Sequence, residues 1–259
     1  MTSIKSIIFD FLSDGGLNSG DIVLLHSNIS KLYKNLLKAN FKFKIEDILE
    51  IIIEYIGPSG TLIIPTFNFS FCEGKTYDFL KTKSQMGTLS ETARIKAKHN
   101  KSWHPVYSFV FFGKIPYEEL NKKNYTAFGK NSIFRWITNQ DGKISIIDLP
   151  DQNSMTYYHY VEEKNKVNWR YQKKFSAEYI FTDQTKKMID AEIYVRKLEP
   201  KVITKVSKME KILWEKKLYK SKNPFSTYGC RSIKARDIEF ETEKIIKTGK
   251  AEGILYEIE

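Results

Sequence analysis

In residues 3–14, SIKSIIFDFLSD, apolar positions recur at helical spacing, and the two glycines that follow Asp14 end the segment. The pattern then changes to a nearly unbroken apolar run, DIVLLHS (21–27). Such a run is what a short strand buried on both faces leaves in a sequence. It passes directly into NISKLYKNL, which opens a helix. KIEDILEIIIEYIG (44–57) returns to helical spacing and closes on Gly57 just before Pro58. GTLIIPTF (60–67) is a second buried strand. Strand, helix, helix, strand in that order predicts a parallel βαβ-type unit under helical cover.

Further along, LSETARIKAK (89–98) predicts a helix with Ser90 as its N-cap. SFVFFG (108–113) and KISIIDLP (143–150) read as strands, with IPYEEL and SIFRWIT as short helices between them. Residues 155–166 read as a helix. Beyond it, EYIFTD, AEIYVRKLE and GILYEIE alternate as strands do, around the helix SKMEKILWEKKLY. They predict a mixed or antiparallel extension of the same sheet. With no linker, repeat or low-complexity tract, residues 1–259 are expected to form one domain, with 176–259 a candidate C-terminal lobe of that sheet.

Hydrophobic residues make up 41% of the chain and aromatic ones 14%, which supports a large packed core. No apolar run approaches the ~18 residues of a membrane span. Asp10 interrupts the N-terminal apolar stretch, so a secretory leader is not expected and a cytoplasmic location is. Cys72 and Cys230 lie far apart, outside any CxxC or CxxH setting, which argues against a disulfide framework or a cysteine zinc site. The net charge of +11 admits a nucleic-acid surface, solvated lysine faces, or attraction of a small polyanion. The lysines are dispersed and form no arginine-rich stripe, which argues against nucleic acid.

Candidate chemistry clusters at a few points. In LLHSNISKL, Ser27, Asn28 and Ser30 stand where a buried strand opens into a helix, either as an anion site or as a simple cap. The chain has no GxGxxG and no GxxxxGK[ST], so dinucleotide-fold and P-loop chemistry lack support. SWHPVYSF (102–109) places His104 before a proline, as a ligand-lining or a structural turn. The four histidines are His26, His99, His104 and His159, and HExxH is absent. A mononuclear site from His159, Glu162 and a distant His104 or Asp78 is the weaker option, and no metal is expected. GxSxG is missing, and Cys72 has no setting that would lower its pKa. In MTYYHYVEEKN (155–165), His159 and Glu162 share a helix face at i,i+3. They are a general base with its orienting carboxylate, or an ordinary helix pair.

Six stretches, in order across roughly residues 20–175, resemble one family: the aminoglycoside 3-N-acetyltransferase-like antibiotic acetyltransferases. HSNIS (26–30) resembles its HSSxS, and GTLIIPTF (60–67) matches GTLxxPTF at every fixed position. YDFLKTKSQMGTLSETAR (77–94) is similar to D…TPSxMGxLxExxR, with Lys83 for proline. KSWHPVYSF (101–109) is similar to RSxHPxxSF, with Lys101 for arginine. FGKNS (128–132) matches FGxxS, and MTYYHYVE (155–162) resembles NTxxHxxE with Met155 for asparagine.

The resemblance implies an α/β fold: three α/β/α layers about a mixed central sheet, distinct from the GNAT fold. It implies acetyl-CoA as co-substrate, a sugar amine as acceptor, and direct transfer with His159 as base and Glu162 as its orienter. His26, Ser27, Asn28, Ile29 and Ser30 would hold the cofactor, with Thr66, Ser108 and Phe109 along its cleft. Asp78, Glu91, His104 and Arg170 would face the acceptor. The basic charge, Met155, and Arg170, Lys173 and Lys174 point to a nucleotide-linked amino sugar for surface polysaccharide. The alternatives are an aminoglycoside 3-N-acetyltransferase giving antibiotic resistance and a non-catalytic basic binding protein. Neither nucleic acid nor a membrane is expected as a partner, and a homo-oligomer is a candidate.

Overall fold

The computed structural model describes residues 3–222 and 229–259. The first half of the chain runs α1 (Ile4–Asp14), β1 (Ile22–Ser27), α2 (Ser30–Lys38), α3 (Ile45–Ile56), β2 (Thr61–Pro65), β3 (Tyr77–Asp78), α4 (Thr88–Ala97) and β4 (Phe109–Gly113). It continues with α5 (Tyr117–Asn121), α6 (Ile133–Asn139), β5 (Lys143–Ile147), α7 (Tyr157–Lys164), β6 (Arg170–Ile180) and β7 (Lys186–Arg196). β8 (Val202–Thr204), α8 (Ser207–Glu215), β9 (Cys230–Lys234), α9 (Ala235–Lys247) and β10 (Tyr256–Ile258) complete it.

The central sheet has the order β4-β2-β1-β5-β9. The expected parallel unit lies at its middle: β1 pairs in parallel with β2 and with β5. Both outer strands are antiparallel, β4 on β2 and β9 on β5. The sheet is therefore mixed. Its apolar runs are continuous because both faces are covered. β1 sends Leu24 to one face and Val23 and Leu25 to the other. Ile8, Leu36, Ile52 and Leu89, from α1 to α4, cover the second face. Phe134, Tyr157, Met209 and Ile238, from α6 to α9, cover the first. These are the three α/β/α layers. Both cysteines are free, and no helix among the described residues is long and apolar enough to cross a membrane.

The C-terminal reading needs correction. EYIFTD and AEIYVRKLE do not extend the central sheet. They are the ends of the hairpin β6–β7, which pairs with β3 in a separate three-stranded sheet. Within GILYEIE, β10 pairs with β8 alone. The C-terminal strand that does join the central sheet is β9, CRSIK, whose polar sequence gave no strand signal. Ser90 is likewise not an N-cap. α4 begins two residues earlier behind Gly87, and Ser90 is buried within its first turn.

Gly113 closes β4 with φ +80°, and a Cβ there would sit 2.4 Å from the Gly60 carbonyl oxygen. Gly113→Ala is expected to destabilise the chain by on the order of 1–3 kcal/mol. Urea unfolding should show this as a lowered midpoint with an unchanged slope.

Candidate active site

The C-terminal ends of β1 and β2 open onto a groove of about 390 Å³, reached by His26 to Ser30, Pro65, Gly87 to Ser90, and Asn153. Two helices point their N-termini into it. α2 has no side-chain cap, and the Asn28 Oδ1 accepts the Ser30 N–H at 3.1 Å. α4 starts behind Gly87, φ +96°, again without a side-chain cap. The two helix N-termini and their dipoles make the groove receptive to an anion. His26 is buried in its wall, and its Nε2 has no hydrogen-bond partner among the described residues. Burial pushes its pKa down to about 4, so the ring is neutral at pH 7.

A second cavity, about 240 Å³, adjoins this groove. Phe67, Phe69, Tyr107, Met155 and Thr156 line it together with His159. The His159 ring is about one-fifth exposed, at 21%, whereas Glu162 behind it is buried. Nδ1 lies 2.8 Å from Glu162 Oε2. The carboxylate also accepts Trp169 Nε1–H on Oε1 at 2.9 Å. Arg170 Nε makes a 2.7 Å ion-pair contact with Oε2, though its N–H is not aligned for a hydrogen bond. Arg170 in turn donates from Nη2 to Thr204 Oγ1 at 2.9 Å and from Nη1 to the Tyr194 carbonyl at 3.3 Å.

These contacts set the charges. Burial opposes ionisation of Glu162, but Arg170, then His159 and Trp169, outweigh it and hold the carboxyl below its usual value. For His159, burial and then Arg170 lower the pKa, against the opposing pull of Glu162. The imidazole is thus neutral at pH 7. A carboxylate on Nδ1 assigns the proton there and leaves Nε2 as the free basic nitrogen.

Not every residue expected at the site reaches it. The 26–30 segment lines the groove. Thr66, Ser108 and Phe109 are buried and line neither the groove nor the second cavity. Thr66 Oγ1 and Ser108 Oγ lie 2.8 Å apart and tie β2 to β4. His104 accepts the Val106 and Tyr107 N–H groups on Nδ1 at 3.1 and 2.9 Å, and burial pushes its pKa to about 4. Asp78 Oδ1 accepts the N–H groups of Leu80 and Lys81, both at 2.9 Å. Glu91 pairs with Arg94 and accepts the Ser84 N–H at 2.8 Å. Arg170 is committed to Glu162. Asp78, Glu91, His104 and Arg170 line neither the groove nor the second cavity, and their polar groups are engaged within the protein.

Sequence reading missed the support of residues 151–158. Asp151 is buried under the second cavity and accepts hydrogen bonds from Tyr158 (2.7 Å), Tyr219 (2.6 Å) and Arg231 (2.9 Å). Arg231 also reaches Glu210 at 3.2 Å, and Glu210 accepts the Asp151 N–H at 3.1 Å. Burial and the nearby Asp151 push Glu210 up to about 7, against the pull of Arg231. Partners from α7, α8 and β9 converge here, and no local spacing in the sequence announces that.

A neutral imidazole backed by a buried carboxylate thus lies near an anion-receptive groove in a three-layer α/β/α fold. The family model described as aminoglycoside 3-N-acetyltransferase matches residues 24–247. The chain belongs to the aminoglycoside 3-N-acetyltransferase family and is an acyltransferase. No curated protein matches it. Among solved structures it is similar to AAC-IIIb in a binary complex with CoASH, with TM-score 0.75 and 13% identity over 96% of this chain and 97% of that one. It is also similar to sisomicin-bound AAC-VIa, with TM-score 0.74 and 17% identity over 96% and 99%. The YokD protein from Bacillus subtilis gives TM-score 0.71 and 18% identity over 93% and 98%.

Proposed function

We propose that this chain transfers the acetyl group of acetyl-CoA to a primary amine of a sugar-type acceptor, directly and without an acyl-enzyme. The observation that carries this is the His159–Glu162 pair, whose imidazole lines the second cavity, next to the anion-receptive groove. The groove and its two helix N-termini take the cofactor's phosphates. The acceptor sits over His159, whose Nε2 removes the amine proton. The amine nitrogen attacks the thioester carbonyl carbon, the C–N bond forms, and the C–S bond breaks. The proton then passes to the departing thiolate, giving free CoA and an amide. Glu162 keeps His159 in the required tautomer throughout.

An aminoglycoside-type acceptor, with resistance as its consequence, is favoured by the family and by the relative solved with sisomicin. One observation favours a second acceptor, a nucleotide-linked amino sugar for surface polysaccharide. Among the described residues lining the groove and the cavity, the one carboxylate is Asp151, and Arg231 already neutralises it. A polycation finds no free counter-charge there.

Acetyl-CoA at a hundredfold excess over its Kd is expected to stabilise the fold by about 2.7 kcal/mol, read as a raised melting temperature. No rise at saturation would remove the acetyltransferase reading. The ratio of kcat/KM for kanamycin-type drugs over nucleotide-linked amino sugars then decides the acceptor: above unity for the first reading, below it for the second.

A further inference from the structure

Two cavities meet in this site, and among the described residues only Met86 and Asn153 line both. If the cofactor arm arrives through the groove and the amine through the other cavity, the thioester carbonyl lies at that junction. A methionine thioether offers no donor there. Asn153 offers two N–H groups. We propose that the Asn153 side-chain amide donates a hydrogen bond to the thioester carbonyl oxygen and stabilises the oxyanion of the tetrahedral intermediate. This inference rests on the acetyl-transfer reading above.

The surroundings of Asn153 fit that task. It ends a short 3-10 turn, Asp151–Asn153, whose neighbours are all tied down. Asp151 is held by Arg231, Tyr158 and Tyr219. Gln152 donates from Nε2 to the Thr204 carbonyl at 3.0 Å and accepts the Val206 N–H on Oε1 at 2.9 Å. Ser154 Oγ donates to the Pro150 carbonyl at 2.8 Å. The Asn153 backbone N–H is also used, on the Pro150 carbonyl at 3.1 Å. Its exposed side-chain amide alone has no hydrogen bond among the described residues. The backbone is fixed, and the free amide can turn its N–H groups onto the carbonyl oxygen, a contact that strengthens as negative charge develops there. The oxygen gains charge as the C–N bond forms and loses it as the C–S bond breaks, so Asn153 transfers no proton.

The test uses the full chain with Asn153→Ala and Asn153→Asp, alongside His159→Ala. Both Asn153 variants should lower kcat by ~10²–10³-fold, the usual effect of losing one such donor. KM for both substrates and the unfolding midpoint should stay unchanged. Asn153→Asp preserves shape but sets a carboxylate against the oxyanion, so it should be at least as slow as Asn153→Ala. Infrared spectra of acetyl-CoA with an isotope-labelled acetyl group give a readout that needs no turnover. The bound carbonyl stretch should lie below that of free acetyl-CoA, and Asn153→Ala should return it towards the free value. Unchanged kcat in both variants, or a stretch that Asn153→Ala leaves in place, overturns the assignment. Should acetyl-CoA fail to bind, or His159→Ala keep full turnover, the acetyl-transfer reading itself fails and takes this inference with it.

Discussion

Replacing His159 with alanine is expected to cut kcat by ~10²–10⁴-fold, the usual contribution of a positioned general base. Binding of acetyl-CoA should survive, because the groove between the α2 and α4 N-termini is built from other residues. The pH profile carries the same signature. The active form of His159 is the neutral one, and its pKa lies below the ordinary imidazole value, through burial first and Arg170 second. The kcat/KM of the unaltered chain should therefore hold steady around neutrality and fall only as pH drops through that lowered value. Glu162→Gln removes the one influence that raises the His159 pKa, so it should move this acid limb to still lower pH while reducing kcat. A surface helix pair, worth only ~0.2–0.5 kcal/mol, would produce neither effect. Steady-state rates from pH 5 to 8 measure both, over the range in which an imidazole normally titrates.

Arg231→Met is expected to be the most damaging change away from the chemistry. Arg231 is fully buried, with Asp151 and Glu210 on its guanidinium at 2.9 and 3.2 Å. Removing one partner of a buried ion pair typically costs ~3–5 kcal/mol, because the remaining charge is stranded without water. Here two carboxylates are stranded together. Glu210, already raised to about 7 by burial and Asp151, loses the opposing pull of Arg231, so its folded-state pKa climbs further above the unfolded one. The native state then binds more protons than the unfolded state, so the penalty should be largest at neutral pH and shrink on acidification. Adding Asp151→Asn and Glu210→Gln to Arg231→Met should restore part of the loss. Chemical unfolding of the single and triple variants at two pH values tests this, and equal stability of Arg231→Met and the unaltered chain would contradict it.

What the sequence disclosed about the fold was local. β1 and β2 were legible because unbroken apolar runs survive only where both sheet faces are covered, and α3 because its apolar stripe and Gly57 bracket it. β9 was not legible. Its CRSIK reads as polar, yet Cys230 to Ile233 are all buried. Asp151 and Glu210 neutralise Arg231, and Ser232 Oγ donates to the Gly15 carbonyl at 2.7 Å. A polar strand becomes a core strand only through partners distant in sequence. β3, two residues long, exists because β6 supplies its ladder.

The site divides in the same way. His159 and Glu162 lie within one helix turn, so spacing alone put them on one face, and the six-stretch resemblance gave that face a role. Trp169, Arg170 and the Asp151 network reach the pair or its flank through tertiary packing, which no periodicity records. Arg170 shows the limit well: its charge marked it as an anion ligand, whereas burial against Glu162 makes it an internal counter-charge. Asn153 emerged only from the meeting of two cavities.

The most direct measurement follows an isotope label on the acetyl group of acetyl-CoA. Incubated with the full chain and each acceptor class in turn, the label is predicted to appear as an N-acetyl amide on one class, with free CoA released in equal amount and no label left on the protein. Acetyl-CoA recovered intact after incubation with both classes, or label held covalently by the chain, would contradict the account.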